Sequence, residues 1–131
     1  ADVDFETGHV RLAQAGHPSP AVLRKDKTIE FVSSFGMPIG LIPDAEYSAF
    51  DIFLNPGDRL LLHSDGMTEC PIDSAGTLLD ESGLRDLLIT HRDKSGLQFV
   101  DAIKRALSEV SGLTEFPDDL SAVLIERNVL A

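Results

Sequence analysis

Leu54-Asn55-Pro56-Gly57-Asp58-Arg59-Leu60-Leu61-Leu62-His63-Ser64-Asp65-Gly66 reads as a turn, a strand and an acid held at the strand's end. Pro56 and Gly57 fall at the second and third positions of a four-residue turn, where Pro presets φ and Gly admits a positive φ. The turn is expected to close a hairpin. Before it, Phe50, Ile52 and Leu54 share one face of a strand. After it, Arg59–His63 is an apolar run rather than an alternating one, the pattern of a strand buried on both faces. A carboxylate that leaves such a strand, as Asp65 does, sits on a rigid support.

Working back from the turn, the chain reads as short extended segments. Asp4-Phe5-Glu6-Thr7-Gly8 is a tight turn, Val10–Ala13 alternates, Ala21–Leu23 follows the bend His17-Pro18-Ser19-Pro20, and Thr28–Val32 alternates again. Three strands are predicted before residue 35. Working forward, the period changes after residue 78. Leu84, Leu87 and Leu88 mark a short helix ending near His91. A second helix is predicted from Ser95, spaced for a capping box with Gln98, to a terminating Gly112, with Val100, Ile103, Leu107 and Val110 as its apolar stripe. Leu120–Ile125 closes the chain as a β-branched, apolar strand entered through Phe116-Pro117-Asp118-Asp119. Strands, two helices and a last strand make an α+β layered domain, expected as one folded unit.

Composition narrows the function. Twenty-two acids against eleven bases give a formal charge of -11, with no basic patch beyond Arg24-Lys25-Asp26-Lys27. Such a surface repels phosphate backbones and lacks the counterion-release term, so nucleic acid is excluded as a partner. No run of eighteen uncharged apolar residues occurs and no export signal opens the chain, so no membrane is expected. The single cysteine, Cys70, has no internal partner for a disulfide, which suits a cytoplasmic, reducing setting.

Two acidic loci share one arrangement: Asp65 follows a buried strand and Asp118-Asp119 precede another. If those strands are neighbours, the carboxylates converge at one edge of a sheet. Hard cations such as magnesium and manganese take oxygen ligands in octahedral geometry and keep several waters, so a few carboxylates on rigid strand ends suffice. Two such ions about 3.5–4 Å apart lower the pKa of a bridging water and neutralise a transferring phosphoryl group. Other readings fare worse. His63-Ser64-Asp65 is no triad, because successive strand residues face opposite sides. An aspartyl-phosphate enzyme needs an acid where Met67 stands. His9, His17, His63 and His91 lack metal-ligand spacing, and Glu69 reads as a loop residue supporting the turn. Gly36 and Gly40 flank Pro38 in a structural bend.

The stretch Leu54–Glu69 resembles the aspartate motif of the metal-dependent type 2C Ser/Thr protein phosphatases, in their bacterial SpoIIE-like branch. Three further segments agree in order and spacing: Ala15-Gly16-His17-Pro18, Met37-Pro38-Ile39-Gly40-Leu41 and Asp118–Ile125. The resemblance implies a four-layer α-β-β-α sandwich with antiparallel sheets. It implies that Asp65 and Asp118 are catalytic metal ligands, with Asp119 at the second acidic position of the closing motif, in a site for two Mn2+ or Mg2+ ions. It also implies a phosphorylated bacterial regulatory protein as substrate, such as an anti-sigma-factor antagonist, and a sensor or response-regulator receiver domain preceding the phosphatase.

The family's upstream acidic motifs have no counterpart, and Asp2-Val3-Asp4 with Gly8-His9 has the wrong spacing for them. Residues 1–131 are therefore expected to be the C-terminal portion of a single SpoIIE-like phosphatase domain, lacking the N-terminal strands and motifs, binding metal weakly and inactive alone. Unpaired sheet edges would then favour self-association as a homodimer or by strand exchange. The competing expectation is a non-catalytic phosphatase fold serving as an adaptor in a stress-response pathway.

Overall fold

A computed structural model describes residues 1–33 and 36–129. The first sheet joins three strands, β1 (Asp2–Val3), β2 (His9–Ala13) and β5 (Ala49–Phe53), in the order β1-β2-β5. The second joins β4 (Ile29–Phe31), β3 (Ala21–Leu23), β6 (Arg59–His63) and β7 (Ala122–Glu126), in the order β4-β3-β6-β7. Pairing is antiparallel for β1–β2, β2–β5, β3–β4 and β3–β6, with Val10 opposite Ile52 and Val22 opposite Leu60. Two helices, α1 (Asp80–Thr90) and α2 (Gly96–Ser111), lie between β6 and β7 in sequence and pack on each other. The α+β class with two antiparallel sheets is thus the observed one. Among the described residues, no helix is long and apolar enough to cross a membrane.

The chain divides into two compact units, Ala1–Leu62 with Ile125–Ala131, and His63–Leu124. In the first, alternation decides the core. Val10 and Leu12 of β2 and Ile52 of β5 turn inward and meet Val22 and Leu60 of the second sheet, with Leu54 beside them. Each such burial contributes about 1.5–3 kcal/mol. Arg11, Ala13, Ala49 and Asp51 alternate out to solvent. Asp4 shapes the β1–β2 turn by accepting the amides of Glu6 and Thr7, and Gly8 there has φ 77°. This hairpin adds β1 to the three strands predicted before residue 35.

Asn55-Pro56-Gly57-Asp58 forms the predicted turn, with the Asp58 amide on the Asn55 carbonyl at 2.9 Å and Gly57 at φ 97°. It does not close a hairpin. β5 pairs with β2 and β6 pairs with β3, so the turn is a corner between sheets. The buried Asp58 carboxylate fixes that corner, accepting the Asn55 amide at 2.9 Å, the Lys25 amide at 2.8 Å and the Arg24 guanidinium at 3.0 Å. Arg127 clasps the same region from the chain's far end, donating to the carbonyls of Glu6, Thr7 and Leu54.

The two glycine-containing segments upstream also meet. The Gly16 amide donates to the Gly36 carbonyl at 2.9 Å, and Gly36 lies so close to the Gln14 carbonyl that a side chain there would collide with it. The bend expected around Pro38 is a backbone junction of this kind.

In the second unit, α2 starts at Ser95, whose backbone is extended but whose hydroxyl makes no cap bond, so the capping box is not formed. Gly112 ends the helix in the left-handed conformation at φ 68°. The buried stripe is Phe99, Ala102, Ile103, Ala106 and Leu107, so Ile103 and Leu107 are buried as predicted and Phe99, Ala102 and Ala106 complete the face in place of Val100 and Val110. Phe99 is fully buried and Val110 is 39% exposed. The largest ring sets the face, and Val100 and Val110 move to its margins.

Candidate metal centre

Asp65 stands two residues after the end of β6, and Asp118 stands four residues before β7. Ser64 ties the two segments together three times. Its amide donates to the Ser121 carbonyl at 2.9 Å, its hydroxyl donates to the Asp119 carbonyl at 2.9 Å, and the same hydroxyl oxygen accepts the Ser121 amide at 3.0 Å. Gly66 makes room for this approach. A Cβ at Gly66 would lie 2.5 Å from the Asp119 carbonyl oxygen, well inside van der Waals contact.

After Asp65 the chain makes a single helical turn. The Glu69 amide donates to the Asp65 carbonyl at 2.8 Å, and the Thr68 hydroxyl reaches the same oxygen at 3.2 Å. A turn of this kind places side chains four residues apart on one side. Met67 and Cys70, both buried, hold it down, while Asp65 and Glu69 face solvent. Burial pushes the Cys70 thiol above its ordinary pKa, against a smaller opposing hydrogen bond from Ser111, as for a cysteine that serves in packing.

Carboxylate oxygens of Asp65, Glu69 and Asp118 lie within 4.8 Å of one another, and all three residues are exposed. Three like charges this close repel, and a divalent cation among them relieves the repulsion with hard oxygen donors. The donor set therefore fits magnesium or manganese. Asp118 also accepts the amide of Asp119 at 2.7 Å, which orients its carboxylate.

Of the residues singled out from the sequence, Asp65 and Asp118 are brought together. Asp119 is not in the group; its backbone carbonyl serves Ser64 instead. Glu69, expected as a loop residue supporting the turn, joins the group. The available signal was its spacing of four from Asp65 within a turn. The histidines stand elsewhere: His9 pairs with Asp51 at 2.6 Å on the first sheet, His17 contacts the Pro18 carbonyl, and His63 is buried with Nδ1 on the Ser64 carbonyl.

Two antiparallel sheets with a pair of helices and an acidic cluster after a central strand define the type 2C phosphatase fold. The chain belongs to the Stage II sporulation protein E (SpoIIE) family, whose model matches residues 1–128. Over 130 residues it is 28% identical to phosphoserine phosphatase RsbU of Bacillus subtilis (strain 168), covering 98% of this chain and 38% of RsbU. It superposes on the phosphatase domain of the Bacillus subtilis cell fate determinant SpoIIE, from a manganese-presoaked crystal, with a TM-score of 0.76 at 14% identity, covering 99% of this chain and 56% of that one. The RsbU and RsbW domains of Rv1364c from Mycobacterium tuberculosis give a TM-score of 0.75 at 23% identity, over 96% of this chain and 34% of that one. The chain thus spans well under two thirds of these relatives.

Proposed function

We propose that this chain is part of a metal-dependent phosphatase that removes phosphate from phosphoserine or phosphothreonine on a bacterial regulatory protein, such as an anti-sigma-factor antagonist. The observation that carries the reading is the convergence of Asp65, Glu69 and Asp118 at the segments that flank β6 and β7. Family membership and the likeness to a phosphoserine phosphatase support the reaction class. Asp65 and Asp118 are the metal ligands of this proposal, Glu69 completes their acidic cup, and Asp119 is left outside the set.

A bound Mn2+ or Mg2+ supplies Lewis-acid polarisation of a phosphoryl oxygen and activation of water. The residues of this chain hold and orient that charge. Their exposure leaves the cup open to a phosphorylated side chain presented by another protein. Three carboxylates are fewer than the six oxygens an octahedral cation takes, so waters and further ligands complete the shell. This chain alone accordingly binds a cation weakly and does not turn over.

The test is manganese-dependent hydrolysis of p-nitrophenyl phosphate and of a phosphoserine peptide by the full-length protein. Wild type is expected to be active, and Asp65→Asn to lose activity at least a hundredfold while remaining folded. No hydrolysis by wild type with either Mn2+ or Mg2+ would sink the enzyme reading in favour of a non-catalytic binding module.

A further inference from the structure

We propose that Ser64 is the positioning residue of this site, its hydroxyl clamping the 118–121 segment to the end of β6 at the separation that lets Asp65 and Asp118 share one cation. The inference rests on the metal reading above and adds a residue that is no ligand itself. One hydroxyl is used as donor and acceptor together, to the Asp119 carbonyl at 2.9 Å and from the Ser121 amide at 3.0 Å. Both partners sit within three residues of Asp118, and Ser64 is the immediate neighbour of Asp65. A displacement of the 118–121 segment therefore translates almost directly into a change in the distance between the two carboxylates.

The chemistry of the side chain is specific. A hydroxyl is the smallest group that both donates and accepts, whereas Ala does neither and Val fills space without polarity. Threonine keeps the hydroxyl on the same Cβ. Gly66 completes the device from the other flank of Asp65, because any Cβ there meets the Asp119 carbonyl that Ser64 holds. Groups that orient metal ligands from outside the coordination shell typically change metal affinity by about 10–100-fold when removed.

The experiment uses the full-length protein and two readouts. The first is Mn2+ affinity without substrate, by electron paramagnetic resonance or calorimetry. The second is hydrogen exchange of the Ser121 amide in the metal-free protein. Ser64→Ala is expected to weaken Mn2+ about tenfold or more and to speed Ser121 exchange at least tenfold, with Ser64→Thr within about threefold of wild type in both. Ser64→Ala with wild-type Mn2+ affinity, or Ser64→Thr as weak as Ser64→Ala, overturns the proposal. If Ser64→Ala does not fold, Gly66→Ala is read instead: it is expected to lose Mn2+ affinity similarly, and unchanged affinity overturns the clamp. Failure of the metal reading looks different, because wild type would then bind no Mn2+ at all; in that case unchanged Ser121 exchange in Ser64→Ala, or in Gly66→Ala, rejects the clamp.

Discussion

Replacing Asp58 by Ala should destabilise the protein by about 3–5 kcal/mol, the range for removing one partner of a buried ion pair. Asp58 is 2% exposed, and its two carboxylate oxygens accept the Lys25 amide, the Asn55 amide and the Arg24 guanidinium. The charged bond is worth about 1.5–3 kcal/mol and each amide left without an acceptor costs about 1 kcal/mol or more. Lys25 and Asn55 are exposed residues, so water can reach their amides and the lower end applies to them. Arg24 retains the Phe53 carbonyl at 2.7 Å and Glu30 at 3.3 Å, which keeps the loss near the middle of the range. Burial of Arg24 works against its charge, and the hydrogen bond it donates to Asp58 together with the field of Glu30 outweighs it, holding the guanidinium above its ordinary pKa. The assay is urea denaturation followed by circular dichroism, with the free-energy change read at constant m. Glu30→Gln is the control: that partner is 55% exposed, and its removal should cost under about 0.5 kcal/mol. A loss below about 1 kcal/mol for Asp58→Ala, or one no larger than the control's, would refute the corner as the device that ties β5 to β6.

The remaining expectations are smaller. Glu69→Gln in the full-length protein should weaken Mn2+ binding about tenfold, measured by paramagnetic resonance, and unchanged affinity would remove Glu69 from the acidic cup. The Thr77 hydroxyl and amide, with the amides of Ala75 and Gly76, hold the Asp73 carboxyl below its ordinary value of 3.8. A depressed folded pKa means that this turn's contribution is present above the unfolded value and is lost as pH falls through the folded one. The Asp73 carboxyl resonance should accordingly titrate with a midpoint below 3.8, and a midpoint at or above it contradicts the turn. Gly112→Ala should cost about 1–2 kcal/mol by thermal denaturation, because the left-handed φ of 68° strains any Cβ even though open space surrounds it.

Much of the fold was legible because short-range rules governed it. Alternation in Val10–Ala13 and the apolar run Arg59–His63 gave strands, and Gly112 ended a helix where it should. Partner choice was not legible at the Asn55–Asp58 turn. A Pro-Gly turn specifies the reversal of direction, whereas the pairing of β5 with β2 depends on Val10 and Ile52 meeting across sequence-distant strands. On the second helix the centre of the face, Ile103 and Leu107, was legible and its margins were not, for a similar reason: Val100 and Val110 satisfy the period as well as Phe99 does, and only the packed neighbours decide between them. Arg127 illustrates the same limit, since nothing near it in sequence announces three carbonyls some 70 to 120 residues away.

At the site, each residue of Ser64-Asp65-Gly66 has a separate physical duty, and that explains why a three-residue string carries more information than the aspartate alone. An aspartate before a glycine ordinarily marks a turn, where glycine is chosen for its φ. Gly66 has no positive φ here; it is required by the Asp119 carbonyl pressing against it. Ser64 supplies the bond that holds that carbonyl in place. The pair therefore encodes the proximity of a second acidic segment more than fifty residues away, and Asp65, set between them, meets Asp118 because its two neighbours bring the segment in. Glu69 lacks such a signature. Its placement follows from the helical turn that Met67 and Cys70 anchor by burial, and burial is a property of the folded chain rather than of the local string.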